Sequence, residues 1–226
     1  LSIIEHNLEV AEKVLTSDED PDIDLDVCCQ KPYKCAFWQY CSQHIPEESV
    51  FNIYFLRNTK KFEYYHNGWI TYRDLLNNAP IKNEKQLRQI EFGLEDKGTY
   101  INKSEIATFL QSLSYPLYFL DFETMQPVIP EYVGTKPYAQ IPFQYSLHIE
   151  QADGTLEHRE FLAKEGTDPR RAIAESLCKD FPVNVCVLAY NMSFERGVLQ
   201  KLAECFPDLS DHLLAIRENI HDLMTT

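Results

Sequence analysis

Residues 118–125 read YFLDFETM. An apolar run that begins at Leu117 leads into Asp121, skips one position and meets Glu123. A continuous run of this kind predicts a central strand buried on both faces. Side chains alternate along a strand, so the two acids fall on the same side. They come at its carboxyl end, where α/β sheets place their sites. Two like charges so close repel each other, and partial burial adds to the cost. A divalent cation removes that cost, and carboxylate oxygens are hard ligands suited to Mg²⁺ or Mn²⁺.

The residues that follow supply the rest of a sheet. FQYSLHIE (143–150) and LEHREFLA (156–163) read as strands joined by a turn at 152–154. TDPRRAIAESLCKDF predicts a helix with Asp168 as its N-cap and Pro169 in its first position. VNVCVLAY is a second buried strand, and IHDLM opens a last one. Between them, NMSFERGVLQKLAECF places Phe194, Val198, Leu202 and Phe206 every four residues along one helical stripe. The order β-β-β-α-β-α-(α)-β predicts an α/β protein whose mixed sheet has one antiparallel side. Asn191 is expected to cap the NMSFER helix and face the cleft. Glu195 sits in that helix's first turn, where the helix dipole favours an anion. A third carboxylate thereby reaches the cleft of Asp121 and Glu123.

Bulk properties narrow the function. The chain has 226 residues, 44% of them hydrophobic, and a net charge of -14. That excess of acids argues against simple adhesion to nucleic acid, which Lys and Arg drive. The charge is uneven, however. Residues 1–26 carry nine acids against Lys13 alone, whereas residues 57–103 carry nine Lys and Arg against six acids. No apolar stretch approaches the roughly 20 residues of a membrane span. The start, LSIIEHNLEVAEKV, lacks the charged head and apolar block of a secretory signal. Seven cysteines in such a chain predict a reducing, cytoplasmic setting.

Two further regions precede the sheet. Residues 1–44 are an acidic leader that ends in CCQKPYKCAFWQYC. Thiolates at Cys28, Cys29, Cys35 and Cys41 can converge on Zn²⁺ or an iron–sulfur cluster. The alternative is that they are small apolar side chains. Residues 45–112 have apolar residues at helical steps. Within them FEYYHNGWITYRDLL predicts a helix, an Asn-Gly turn and a second helix capped by Thr71. Lys60, Lys61, Arg73, Lys82, Lys85 and Arg88 surround this hairpin. It suits a phosphate chain, and a plain helical linker is an equally good reading. Residues 113–226 hold the sheet.

DFET, LAYNMSFERGVL and HDLM together resemble the DEDD-type 3′–5′ exonucleases of the ribonuclease H-like superfamily. Asp121 and Glu123 match the first motif of that family, and Asn191 and Phe194 match the second. At the next position the family has Asp where this chain has Glu195, one CH₂ longer. The wider text, including KPYAQIPFQYSLHIE, is similar to a bacterial family that joins three parts: a RecB-like nuclease module with a 4Fe–4S cysteine cluster, a helical linker and a ribonuclease H-like domain.

The resemblance implies a divalent-metal-dependent exonuclease acting on DNA or RNA, at single-stranded ends. Asp121, Glu123 and Glu195 would be metal ligands, Asn191 a positioning residue, and Asp222 a further carboxylate at the start of the last strand. Apart from the resemblance, the phosphate-chain reading of the hairpin would have Lys60, Lys61, Arg73, Lys85 and Arg88 contact nucleic acid. The family's fourth acid comes from a later helix, so residues 1–226 are expected to hold one ion weakly and to cleave slowly. The Glu195 departure keeps a second class open, a catalytically degenerate binding or scaffolding module of a larger nuclease.

Overall fold

A computed structural model describes residues 2–225. The chain parts into two units, Leu1–Ile101 and Asn102–Thr226. The first begins with α1 (Ser2–Leu15), which buries none of its residues. A 3-10 turn at Val27–Cys29 follows, capped by the Asp26 carboxylate, and then the short α2 (Trp38–Cys41). Helices α3 (Asn58–His66), α4 (Tyr72–Asn78) and α5 (Glu84–Glu95) enclose Val50, Ile53, Tyr64, Tyr72, Leu75 and Ile90. Gly68 turns the chain between α3 and α4 with φ 75°, a conformation that costs glycine nothing. Thr71 then starts α4 with a reciprocal capping box: its hydroxyl accepts from the Asp74 amide, and the Asp74 carboxylate accepts from the Thr71 amide.

Two helical glycines in the chain have opposite surroundings. In a helix interior, glycine is worse than alanine by about 1 kcal/mol. At Gly93 a Cβ would stand 2.7 and 2.8 Å from ring carbons of Tyr72, which is itself buried. Overpacking of that kind costs about 1–3 kcal/mol and outweighs the propensity gain. Gly93→Ala is therefore expected to lower stability. At Gly197 a Cβ would meet nothing within 4 Å. Gly197→Ala is expected to raise stability by up to about 1 kcal/mol. Urea denaturation of both variants checks the pair.

The second unit opens with α6 (Lys103–Ser112) and continues into a five-stranded sheet. The strands are β1 (Leu117–Met125), β2 (Ile141–Glu150), β3 (Leu156–Leu162), β4 (Cys186–Ala189) and β5 (Ile220–Asp222). Their spatial order is β3-β2-β1-β4-β5. β2 runs antiparallel to both of its neighbours, whereas β4 runs parallel to β1 and β5. Helix α7 (Pro169–Asp180) joins β3 to β4, and α8 (Ser193–Cys205) and α9 (Ser210–Glu218) join β4 to β5. The mixed α/β sheet and the sequence of elements are those expected from the residues.

Strands β1 and β4 are packed on both sides, whereas β3 is largely exposed. Tyr118, Leu120 and Phe122 of β1 pack with Val198, Leu199 and Leu202 of α8 and with Ile173 and Leu177 of α7. On the other side Leu117, Phe119 and Leu188 pack with Phe109 and Leu113. Each fully buried Leu, Ile or Phe contributes about 1.5–3 kcal/mol. Tyr145, the largest wholly buried side chain, satisfies its hydroxyl through Ser176 at 2.7 Å and Asp180 at 2.5 Å. Burial, followed by the Asp180 hydrogen bond, pushes the Tyr145 hydroxyl pKa well above its ordinary value.

A carboxylate cluster at the ends of the parallel strands

The alternation read from the sequence holds along β1. Leu120 and Phe122 are buried, whereas Asp121 and Glu123 are exposed. Parallel pairing of β1 with β4 ends at Phe119 opposite Leu188. Asp121 and Glu123 thus stand beyond the parallel ladder, on the part of β1 that pairs with β2 alone. The β1–β2 register slips by one residue between Glu123 and Thr124, with Phe143 of β2 as the extra residue. Such bulges re-aim side chains. Pro142, which cannot donate a ladder hydrogen bond, lies at this slip, where proline is tolerated in a central strand.

Glu195 approaches from the first turn of α8, which begins just past the end of β4. It is 3% exposed, and its Oε2 is buried with no hydrogen-bond partner. Burial first, then the charges of Asp121 and Asp222, push its carboxyl up to about 7. That coupling brings Asp121, Glu195 and Asp222 into one electrostatic cluster, drawn from β1, α8 and β5.

Asp222 and Asn191 take positions different from those expected. Asp222 ends β5 rather than opening a strand. It is buried, and its Oδ1 accepts from the backbone amides of Asn191 and Met224, each at 2.9 Å. Asn191 does not cap α8, because the N-cap position falls on Met192 and no side chain bonds there. Instead Asn191 lies at φ 63° and presents its amide to Asp222. The left-handed conformation is what turns that amide toward the acid, and asparagine tolerates it better than most residues. Asn191→Gly is therefore expected to keep full stability. Asn191→Val is expected to lose about 1–2 kcal/mol, as thermal unfolding would record.

The other sequence candidates lie in the first unit. Cys29 is half-buried, and Cys28, Cys35 and Cys41 are exposed, all as free thiols. The Cys35 amide donates to the Cys29 carbonyl, which folds the intervening loop back on itself. Loss of solvation and the adjacent Cys29 thiol push the Cys28 thiol up.

Among the candidate cations, Lys60 pairs with Glu63 at 2.8 Å. Lys61 is half-buried and donates to the Phe51 carbonyl, and burial pulls its ammonium pKa down. The Arg88 guanidinium stacks on Tyr100 at 3.9 Å. Arg73, Lys82 and Lys85 are exposed. These side chains are spread over α3, α4 and α5 and the chain leading into α5.

The donor chemistry of the carboxylate cluster suits a hard divalent cation. Its acids are close enough to perturb one another, and one buried oxygen lacks a proton donor. The side chains are not already gathered as a shell: among the described residues no group of three or more His, Cys, Asp and Glu is placed to hold a metal ion. Also among the described residues, no helix is long and apolar enough to cross a membrane.

Sequence reasoning missed a cavity of about 520 Å³ beside the β1–β2 loop. Its signal was the length of that loop, residues 126–140, which has no secondary structure of its own. Loops of that length inside a domain are commonly functional.

Residues 118–226 match the family model of a domain of unknown function (DUF2779). No curated protein and no solved structure matches the chain.

Proposed function

We propose that the second unit is a divalent-metal-dependent nuclease of the 3′–5′ exonuclease type, with a ribonuclease H-like sheet. The single observation that carries this reading is Glu195, a buried carboxylate with an unpartnered oxygen that feels the charges of two further acids, Asp121 of β1 and Asp222 of β5. Burying such a group without a partner is costly. A cation supplies the partner.

Asp121, Glu123 and Glu195 would hold the ion, with Asp222 beside them. When bound, divalent cations activate water and stabilise the leaving oxygen in phosphodiester cleavage. The chain's own residues prepare that site. The exposed Asp121 offers its carboxylate at the surface of the cleft. Asp222 ties the loop after β4 to β5 through the Asn191 amide, which fixes where α8 starts and therefore where Glu195 points. The α8 dipole favours the ionised form of Glu195 that a cation needs.

Mn²⁺ titration is the direct test, followed by release of mononucleotides from end-labelled single-stranded DNA and RNA. The proposal requires saturable Mn²⁺ binding that competes with Mg²⁺. Absence of binding would favour a module that only docks nucleic acid.

A further inference from the structure

The cavity beside the β1–β2 loop has a chemistry distinct from that of the carboxylate cluster. Lys136 and Tyr138 enter it from the loop, and Lys201 enters from α8. Gln126, three residues past Glu123, lies at its edge. Lys136, Gln126 and Tyr138 are all exposed, and Tyr138 keeps 64% of its surface open. The protein as a whole carries a charge of -14. A local gathering of cations is therefore against the trend of the molecule.

The backbone is set to hold this wall in place. Arg170 of α7 donates to the Val133 carbonyl at 3.0 Å while its guanidinium is paired with Asp168. Tyr132 donates to the Thr167 carbonyl at 3.1 Å, and the Tyr138 amide donates to the Pro127 carbonyl at 3.0 Å. The loop is thus pinned at several points before any ligand arrives, as small-molecule sites usually are. Tyr138 itself sits at φ 59°. An aromatic residue rarely adopts that conformation, and the loop retains it with the ring facing outward rather than packed in the core.

We propose that this cavity binds a nucleoside monophosphate, either free or as the end of a chain, with the base on the Tyr138 ring and the phosphate between Lys136 and Lys201. Its volume lies within the range of small-molecule sites. An aromatic face accepts any base, and two ammonium groups supply the charge that a phosphate seeks. Glu204 also lines the cavity, with one oxygen accepting from the Gln200 side-chain amide at 2.9 Å, and its charge offsets part of that of the lysines. Among the described residues Lys201 makes a 3.4 Å contact with Gln140 and no ion pair, and it is readily redirected. The choice of a nucleotide over another phosphorylated molecule rests on the nuclease reading. The presence of the Tyr138 ring and of two lysines in one cavity lining stands apart from it.

Calorimetric titration with AMP and dAMP in EDTA tests the site without any metal. Adenosine and inorganic phosphate serve as half-ligands, and a 5′-phosphorylated trinucleotide separates a chain end from a free nucleotide. Binding at millimolar concentration or below is expected, with both half-ligands weaker than AMP. Tyr138→Ala is expected to weaken it by about fivefold or more, with Tyr138→Phe restoring affinity. Lys136→Ala combined with Lys201→Ala should weaken it by about tenfold.

All of this should persist in an Asp121→Ala background. Nucleotide binding without any nuclease activity would leave this site standing and remove the nuclease reading. Cleavage without AMP binding would do the reverse. Phosphate binding as tight as AMP binding, unmoved by Tyr138→Ala, would overturn the proposal in favour of a plain anion patch.

Discussion

Asp121→Asn is expected to abolish Mn²⁺-dependent cleavage and to weaken Mn²⁺ binding by about 100-fold or more while the protein remains folded. Even residues that only support a metal ligand cost 10–100-fold in affinity or activity when changed, so a direct ligand should cost at least that. Folding should survive because the Asp121 side chain is exposed and, among the described residues, makes no hydrogen bond or ion pair. The substitution also removes one of the two negative charges that act on Glu195. Metal-free Asp121→Asn should therefore melt at or slightly above the wild-type temperature. Loss of Mn²⁺ binding together with an unchanged or raised melting temperature identifies a ligand. A lowered melting temperature would instead mark Asp121 as structural, and unchanged Mn²⁺ affinity would remove it from the site.

The sheet was legible because its elements carry redundant signals. β1 announced itself by an uninterrupted apolar run and then by strict alternation through Asp121 and Glu123. Asp168 and Pro169 marked the start of α7 to the residue. Local chemistry was harder to read where two elements compete for one residue. Asn191 has the composition of an N-cap, yet Asp222, 31 residues later, claims its backbone amide and holds it outside the helix. Nothing near Asn191 in sequence reveals that long-range acceptor. The basic residues of the first unit show the same limit. Spacing alone could not show that Lys61 turns inward to the Phe51 carbonyl or that Arg88 stacks on Tyr100. The cavity at residues 126–140 was hidden for a related reason: its walls come from a loop and from the far end of α8, and they meet only once the sheet is folded.

Glu195→Gln is expected to stabilise the metal-free protein at pH 8 and to leave it unchanged at pH 4. The ordinary glutamate value is 4.5, and burial with two neighbouring acids pushes the folded protein's value up to about 7. Raising the folded-state value means that the fold favours neutral Glu195 over ionised Glu195. The stability of the neutral form is fully present below 4.5 and is lost as pH rises through about 7. The gap between the two values corresponds to about 3 kcal/mol at pH 8. Glutamine has the shape of the neutral acid and cannot ionise, so it should recover up to that amount. At pH 4 the two side chains differ little, because Oε2 lacks a partner in either case.

A bound cation works in the opposite sense. It should stabilise the wild type at pH 8 by favouring ionised Glu195, and should do so less in Glu195→Gln. Chemical denaturation at pH 4, 6 and 8, with EDTA and with Mn²⁺, measures every corner of this cycle. A difference between the two proteins that stays flat from pH 4 to pH 8 would show that Glu195 is not held above its ordinary range. Equal stabilisation of both proteins by Mn²⁺ would place the ion away from α8.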